Sequence, residues 1–227
     1  MSQRPFGRIP VIFAAALAAA CGTGTTAPTG DFSVTAGPAA ATTLGTTDTF
    51  HVTVTSTGGF AGSVLLTFLG VPPDWIVTLS QNPVPLTADG TGGSTVSITI
   101  PTNGTPAPAG QAITVQATGP SLHHTAPTSV TVANEFVTAF ALGTDSFPHF
   151  GALAGTTLHF NVGTTITVRN DDTTAHRVHY DGTIGLMHEA ADLPTGQSYS
   201  QVIGGTGTDH LLCLDHPDAG TITLVVP

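Results

Sequence analysis

The sequence predicts an all-β protein with two β-sandwich domains that follow a cleaved leader. Of its 227 residues, 40% are hydrophobic and only 8% are charged, and 27 glycines and 17 prolines interrupt the apolar runs at short intervals. Within those runs apolar residues alternate with Thr and Ser, as in strands that bury one face. The predicted boundaries are residues 1–20 for the signal peptide, 21–30 for a tether, 31–133 for the first sandwich and 134–227 for the second.

The N-terminus has the features of an export signal. Arg4 and Arg8 precede an apolar run over residues 9–20, and Cys21 follows directly. The run is too short for a permanent membrane helix. The cysteine after Leu-Ala-Ala-Ala resembles a bacterial lipobox, which implies lipidation of Cys21 and a lipoprotein held by its lipid anchor in the periplasm or at the outer membrane or cell surface. An ordinary cleaved signal with an incidental cysteine is the alternative.

Residues 31–133 show alternating runs separated by turn residues. The runs cover residues 49–55, 63–68, 94–100 and 111–117. About seven strands in roughly 100 residues fit an immunoglobulin-like sandwich. The turn-strand at 59–64 and the turns at 70–73 and 108–111 resemble bacterial Ig-like repeats of exported proteins, which implies a spacer or adhesion module without an active site.

The charge distribution favours basic partners. The chain has no lysine, four arginines and 14 acidic residues, and ten of those acids lie from Glu135 onward. Such a field repels nucleic acid, so we expect no nucleic-acid binding; the alternative is that acidity only keeps the protein soluble. The sequence also lacks a G-x-S-x-G elbow, an H-E-x-x-H helix and a phosphate loop, and we expect no enzyme.

The second predicted sandwich contains a candidate metal site. If Cys21 is lipidated, Cys213 is the one remaining thiol and has no disulfide partner, so it is either an inert buried thiol or a ligand. Cys213 and His216 lie in a turn between two predicted strands, within reach of one ion, and His176 opens an earlier strand. Two imidazoles and a thiolate form the donor set of a trigonal copper site, although zinc accepts them with a fourth donor.

Four segments carry a family resemblance. They are residues 163–170 (GTTITVRN), 176–179 (HRVH), 207–217 (GTDHLLCLDHP) and 220–224 (GTITL). Together they resemble the plastocyanin and amicyanin branch of the cupredoxins, over about residues 158–226. The resemblance implies a Greek-key sandwich with a mononuclear type 1-like copper centre for one-electron transfer. His176, Cys213 and His216 would be its ligands, with electrons passing through His216. A basic redox partner such as a small cytochrome would suit the acidic surface.

The chain departs from this family at the axial ligand. The family usually has a methionine between the second histidine and the glycine, but the segment 216–220 (HPDAG) is shorter and has none. Met187 and Asp218 are candidate axial ligands; an empty position, a backbone carbonyl or water are the alternatives, and Met187 could instead pack. A carboxylate would favour Cu(II) and lower the reduction potential. His179, three residues after His176, should face away from the site.

Two other functions stay open. One is copper binding or buffering without electron relay, which the altered axial position makes plausible. The other is a metal-free surface spacer or interaction lipoprotein, in which both sandwiches serve only as spacers.

Overall fold

The computed structural model describes residues 30–141, 143, 148–217 and 220–227, and it confirms the all-β fold with β-sandwich domains. The predicted signal peptide, Cys21 and Asp218 lie outside these residues. Within the described ranges, no helix has the length and apolar character needed to cross a membrane.

The strands follow one another along the whole described chain. The first eight are β1 (Asp31–Ala36), β2 (Ala41–Leu44), β3 (Thr47–Thr57), β4 (Gly62–Leu69), β5 (Ile76–Leu79), β6 (Val84–Leu86), β7 (Thr91–Thr99) and β8 (Ala107–Thr118). The remaining strands are β9 (His123–Phe140), β10 (Thr157–His159), β11 (Thr165–Asn170), β12 (Val178–Tyr180), β13 (Ser198–Val202), β14 (Gly207–Cys213) and β15 (Ile222–Val226). One turn of 3-10 helix, Gly151–Leu153, precedes β10.

The first sandwich packs one sheet, in the order β1-β3-β7-β5, against strands β9-β8-β4-β6, with β2 parallel to β9. The alternation predicted for β3 is present, because Phe50, Val52 and Val54 are buried. Trp75 is also buried, and its indole N–H donates to the carbonyl of Thr105 at 3.0 Å. That this sandwich is Ig-like stays a prediction.

The second sandwich packs the sheet β10-β15-β14-β12 against strands β13-β11-β9. Strand β10 is parallel to β15 and β11 is parallel to β9, while the other pairs are antiparallel. Alternation in β14 turns Leu211 and Cys213 into the core, where they join a continuous cluster of buried side chains. The fold therefore directs the thiol of Cys213 inward.

Strand β9 belongs to both sandwiches. Its first part pairs with β8 and its last part with β11. The buried residues Val130 and Val132 belong to the first core, whereas Phe136 and Phe140 belong to the second. All four have even numbers, so the same face of one strand supplies both cores. The domain boundary between residues 133 and 134 stays a prediction, and it falls inside this strand.

Candidate metal site

Four side chains converge at one end of the second sandwich. The ligand atoms of His149, His176, Cys213 and His216 all lie within 4.8 Å of one another. The first three residues are buried and His216 is exposed. The structure thus brings together the three residues predicted from the sequence and adds His149, which sequence reasoning did not identify.

The end of β14 positions Cys213 and His216. Cys213 is the last residue of β14, faces Val178 on β12 and has no exposed surface. The chain then turns: the N–H of His216 donates to the carbonyl of Cys213 at 3.3 Å, and the N–H of Leu214 donates to the carbonyl of Arg177 at 2.9 Å. This turn brings a ring nitrogen of His216 to within 4.8 Å of Sγ of Cys213.

A hydrogen-bonded loop positions His176. Its backbone exchanges two hydrogen bonds with Leu193, of 3.2 and 2.6 Å. The buried side-chain amide of Asn170 donates to the carbonyls of Thr174 and Leu193, at 2.7 and 2.8 Å, and so ties both ends of the loop together. The ring of Phe140 stacks on the imidazole of His176 with centroids 4.6 Å apart.

The ring of His176 is also oriented by a carboxylate. Its Nε2 lies 3.0 Å from Oδ2 of the buried Asp172, and its Nδ1 lies 3.8 Å from Sγ of Cys213. An ionised carboxylate can only accept, so Nε2 carries the proton in this contact. A neutral imidazole then has its lone pair on Nδ1, the nitrogen that faces the cluster.

Hydrogen bonds keep Asp172 ionised. The backbone N–H of Gly143 donates to this carboxylate and holds its pKa well below the usual range, against the opposing effect of burial. The ring of His176, the N–H of Thr173 and the hydroxyl of Thr174 lower the pKa further. The cluster therefore has a fixed negative charge directly behind His176.

His149 reaches the cluster from the connection between β9 and the 3-10 helix. Its carbonyl accepts the N–H of Ala141 at 3.1 Å, and its side chain is 1% exposed. Its ring contacts those of His176 and His216, with centroid distances of 4.8 and 5.4 Å. His149 does not belong to an alternating apolar run in the sequence. The one sequence feature that could have drawn attention to it is the position of a histidine between Pro148 and Phe150.

The other sequence candidates lie elsewhere. Met187 is 66% exposed, and its carbonyl accepts the hydroxyl of Tyr199 at 2.8 Å, so it does not pack in the core; an axial role for it stays a prediction. Asp218 and Cys21 lie outside the described residues. His179 stacks on His188 and lies outside the cluster, as expected, although His176 precedes β12 instead of opening that strand.

Solved structures that are similar to part of this chain include a purple cupredoxin and variants of amicyanin. One is a novel purple cupredoxin from Nitrosopumilus maritimus, with 24% identity and a TM-score of 0.33, covering 40% of this chain and 98% of that chain. Another is a methionine-to-alanine variant of amicyanin in the Cu(I) form, with 26% identity and a TM-score of 0.31, covering 42% of this chain and 84% of that chain. No family model and no curated protein matches the chain.

The donor set fits a single metal ion. Usual bond lengths of about 2.1 Å to nitrogen and 2.3 Å to sulfur place two donors of a tetrahedral ion roughly 3.6 Å apart. The 3.8 Å between Nδ1 of His176 and Sγ of Cys213 is close to that value. Because no two ligand atoms of the cluster are more than 4.8 Å apart, shortening these separations by at most roughly 1.4 Å would close the cluster around an ion.

Replacement of Asp172 by asparagine should destabilise the protein in a pH-dependent way. The native pKa of this carboxyl is lowered, so its stabilisation is complete above the unfolded pKa of about 3.9 and is lost as the pH falls further. Near pH 7 we expect Asp172→Asn to lower the free energy of unfolding by about 1.5–3 kcal/mol, the range for hydrogen bonds to charged groups. Urea unfolding at several pH values measures this difference, which should shrink below about pH 4.

Asp171→Asn is the matched control, because it removes the same charge one residue away. Asp171 is exposed and pairs with Arg169, so its loss should cost about 0.2–1 kcal/mol. If the two substitutions lower the free energy of unfolding by the same amount, the buried carboxylate of Asp172 contributes no more to stability than the exposed carboxylate of Asp171.

Proposed function

We propose that this protein binds one copper ion through His176, Cys213 and His216 and transfers single electrons. The observation that carries the proposal is the convergence of a buried thiol with three imidazoles within 4.8 Å. Three of the four side chains are buried, so an ion held here would be largely removed from water.

The donor chemistry favours copper over zinc. A thiolate is a soft ligand suited to Cu(I), and imidazoles suit both Cu(I) and Cu(II). For a given nitrogen and sulfur site, affinity also rises from Zn(II) to Cu(II). Copper bound here supplies a Cu(II)/Cu(I) couple, which zinc cannot do.

The surrounding residues limit movement when the charge at the site changes. Cys213 is fixed by the pairing of β14 with β12, and His176 is fixed by Leu193, Asp172 and the stacked ring of Phe140. Side chains held by packing and hydrogen bonds keep one geometry for both oxidation states. A small rearrangement favours electron transfer.

His216 supplies a route to the protein surface. It is the one exposed member of the cluster. From Glu135 onward the sequence has ten acidic residues, of which Asp172 and Asp209 are buried, and only two arginines. Both arginines pair with aspartates, Arg169 with Asp171 and Arg177 with Asp192. A basic redox protein such as a small cytochrome suits this surface. We place the reaction in an exported lipoprotein, on the basis of the leader and Cys21.

A copper titration of the full chain tests this function. Addition of one equivalent of Cu(II) should produce an intense visible thiolate-to-copper charge-transfer band, and voltammetry should show a reversible one-electron wave. His179→Ala removes a histidine outside the cluster and should change neither result. Copper binding without a reversible wave would instead support copper binding or buffering. Absence of binding would support a metal-free spacer.

A further inference from the structure

We infer that His149 is a fourth, strong copper ligand in a chain that lacks the methionine usual in the family it resembles, and that the centre consequently favours Cu(II). This inference rests on the proposed copper function and adds a ligand to it. A fourth ligand changes the reduction potential of the copper centre, and this potential determines which partner donates and which accepts the electron.

The packing of the three rings supports the assignment. The centroids of His176 and His216 are 6.4 Å apart, and the ring of His149 contacts both, at 4.8 and 5.4 Å. Its nearer ligand atom also lies within 4.8 Å of Sγ of Cys213. The ring of Phe140 also packs edge-on against that of His149, with centroids 5.8 Å apart. The imidazole is therefore built into the cluster and lies beside both other rings.

The chemistry of this fourth donor determines which oxidation state is favoured. A thioether is soft and binds weakly at a long distance, which leaves Cu(I) well stabilised. An imidazole is a stronger donor to Cu(II), so it stabilises the oxidised ion more than the reduced ion. The contact of 3.0 Å between Oδ2 of Asp172 and Nε2 of His176 adds to this effect, because a carboxylate partner on the second ring nitrogen increases the basicity of a ligating histidine.

A centre of this kind is a good electron donor once it is reduced. Held by these residues, copper would supply a Cu(II)/Cu(I) couple, and the one electron taken from a donor would pass to an acceptor. The protein that reduces this centre must therefore have a low reduction potential. The protein that accepts the electron can have a moderate reduction potential. This places the protein on the reducing side of its electron-transfer chain.

The decisive experiment counts the nitrogens bound to Cu(II). Pulsed electron paramagnetic resonance on the full chain should show three directly bound imidazoles. His149→Met should show two, and the ratio of Cu(II) to Cu(I) affinity should fall at least tenfold, which corresponds to a rise of about 59 mV in midpoint potential. The charge-transfer absorption should also move to longer wavelength as the bond from copper to sulfur strengthens.

Two further variants complete the test. His179→Met introduces the same side chain outside the cluster and should leave the count and the potential unchanged. His149→Gly should lose one nitrogen and regain the parent spectrum when imidazole is added. Because the parent chain itself gives a count, the inference can be tested even if a variant does not fold.

The outcomes separate the inference from the function on which it rests. A charge-transfer band with only two bound imidazoles in the parent chain would overturn the role of His149 and leave the copper function in place. The same holds if His149→Met shifts the potential no more than His179→Met does. No charge-transfer band in the parent chain would overturn both.

Discussion

Cys213→Ser should abolish the visible charge-transfer band and weaken Cu(II) binding more than about 100-fold. Loss of outer partners of metal ligands costs about 10- to 100-fold in affinity, and loss of a direct ligand should exceed that range. Serine keeps the shape of the side chain, but its hydroxyl does not ionise near neutral pH, so the anionic donor disappears. Titration against a competing chelator of known affinity measures the change.

The other cysteine provides the matched control. Cys21→Ser replaces the same atom far from Cys213 in the sequence and should leave the band and the affinity unchanged. Because Cys213 is fully buried, its replacement also places a hydroxyl in the core, at a cost of about 1–3 kcal/mol in stability. Circular dichroism should confirm that the variant is folded. Retention of the band in Cys213→Ser would exclude this thiol as the ligand.

Phe140→Ala should produce the largest loss of stability among the substitutions considered. Phe140 has no exposed surface, packs on Phe150 with ring centroids 5.1 Å apart and stacks on His176. Removal of a buried phenyl ring costs about 3–5 kcal/mol, because the cavity closes only partly. For a protein of this size the corresponding fall in Tm is about 6–20 °C. Thermal unfolding of the metal-free protein measures it.

A residue on the opposite face of the same strand serves as the comparison. Val137 lies on β9 with 37% of its surface exposed, and Val137→Ala should change the free energy of unfolding by less than about 0.5 kcal/mol. If both variants lose the same amount of stability, the stack behind the metal site does not anchor the second core.

Much of the fold could be predicted because strand alternation is a local property. The runs that contain Phe50 and Leu211 alternate in the sequence as they do in the structure, and this pattern identified the all-β class. The convergence of His176, Cys213 and His216 was also predicted, from the turn after one strand and from the resemblance to cupredoxins. Their role as ligands stays a prediction.

The residues that sequence reasoning did not identify depend on non-local packing. His149 is distant from His176 in the sequence. The two rings come into contact only because the fold packs His149 beside Phe140 and His176. Asp172 lies in a segment that predicts an ordinary turn, Asp171-Asp-Thr-Thr174, and its role follows from the hydrogen bond to His176. Neither contact leaves a periodic pattern in the sequence.

The sharing of β9 has a thermodynamic consequence. Because one strand supplies buried side chains to both cores, neither core can lose this strand without exposing apolar surface in the other. An ion that binds only the folded site adds its binding free energy to that folded state. Coupling through the shared strand would extend this benefit to the first sandwich, which has no residue in the cluster. The metal would then act as a structural clamp for the whole described chain in addition to any redox role.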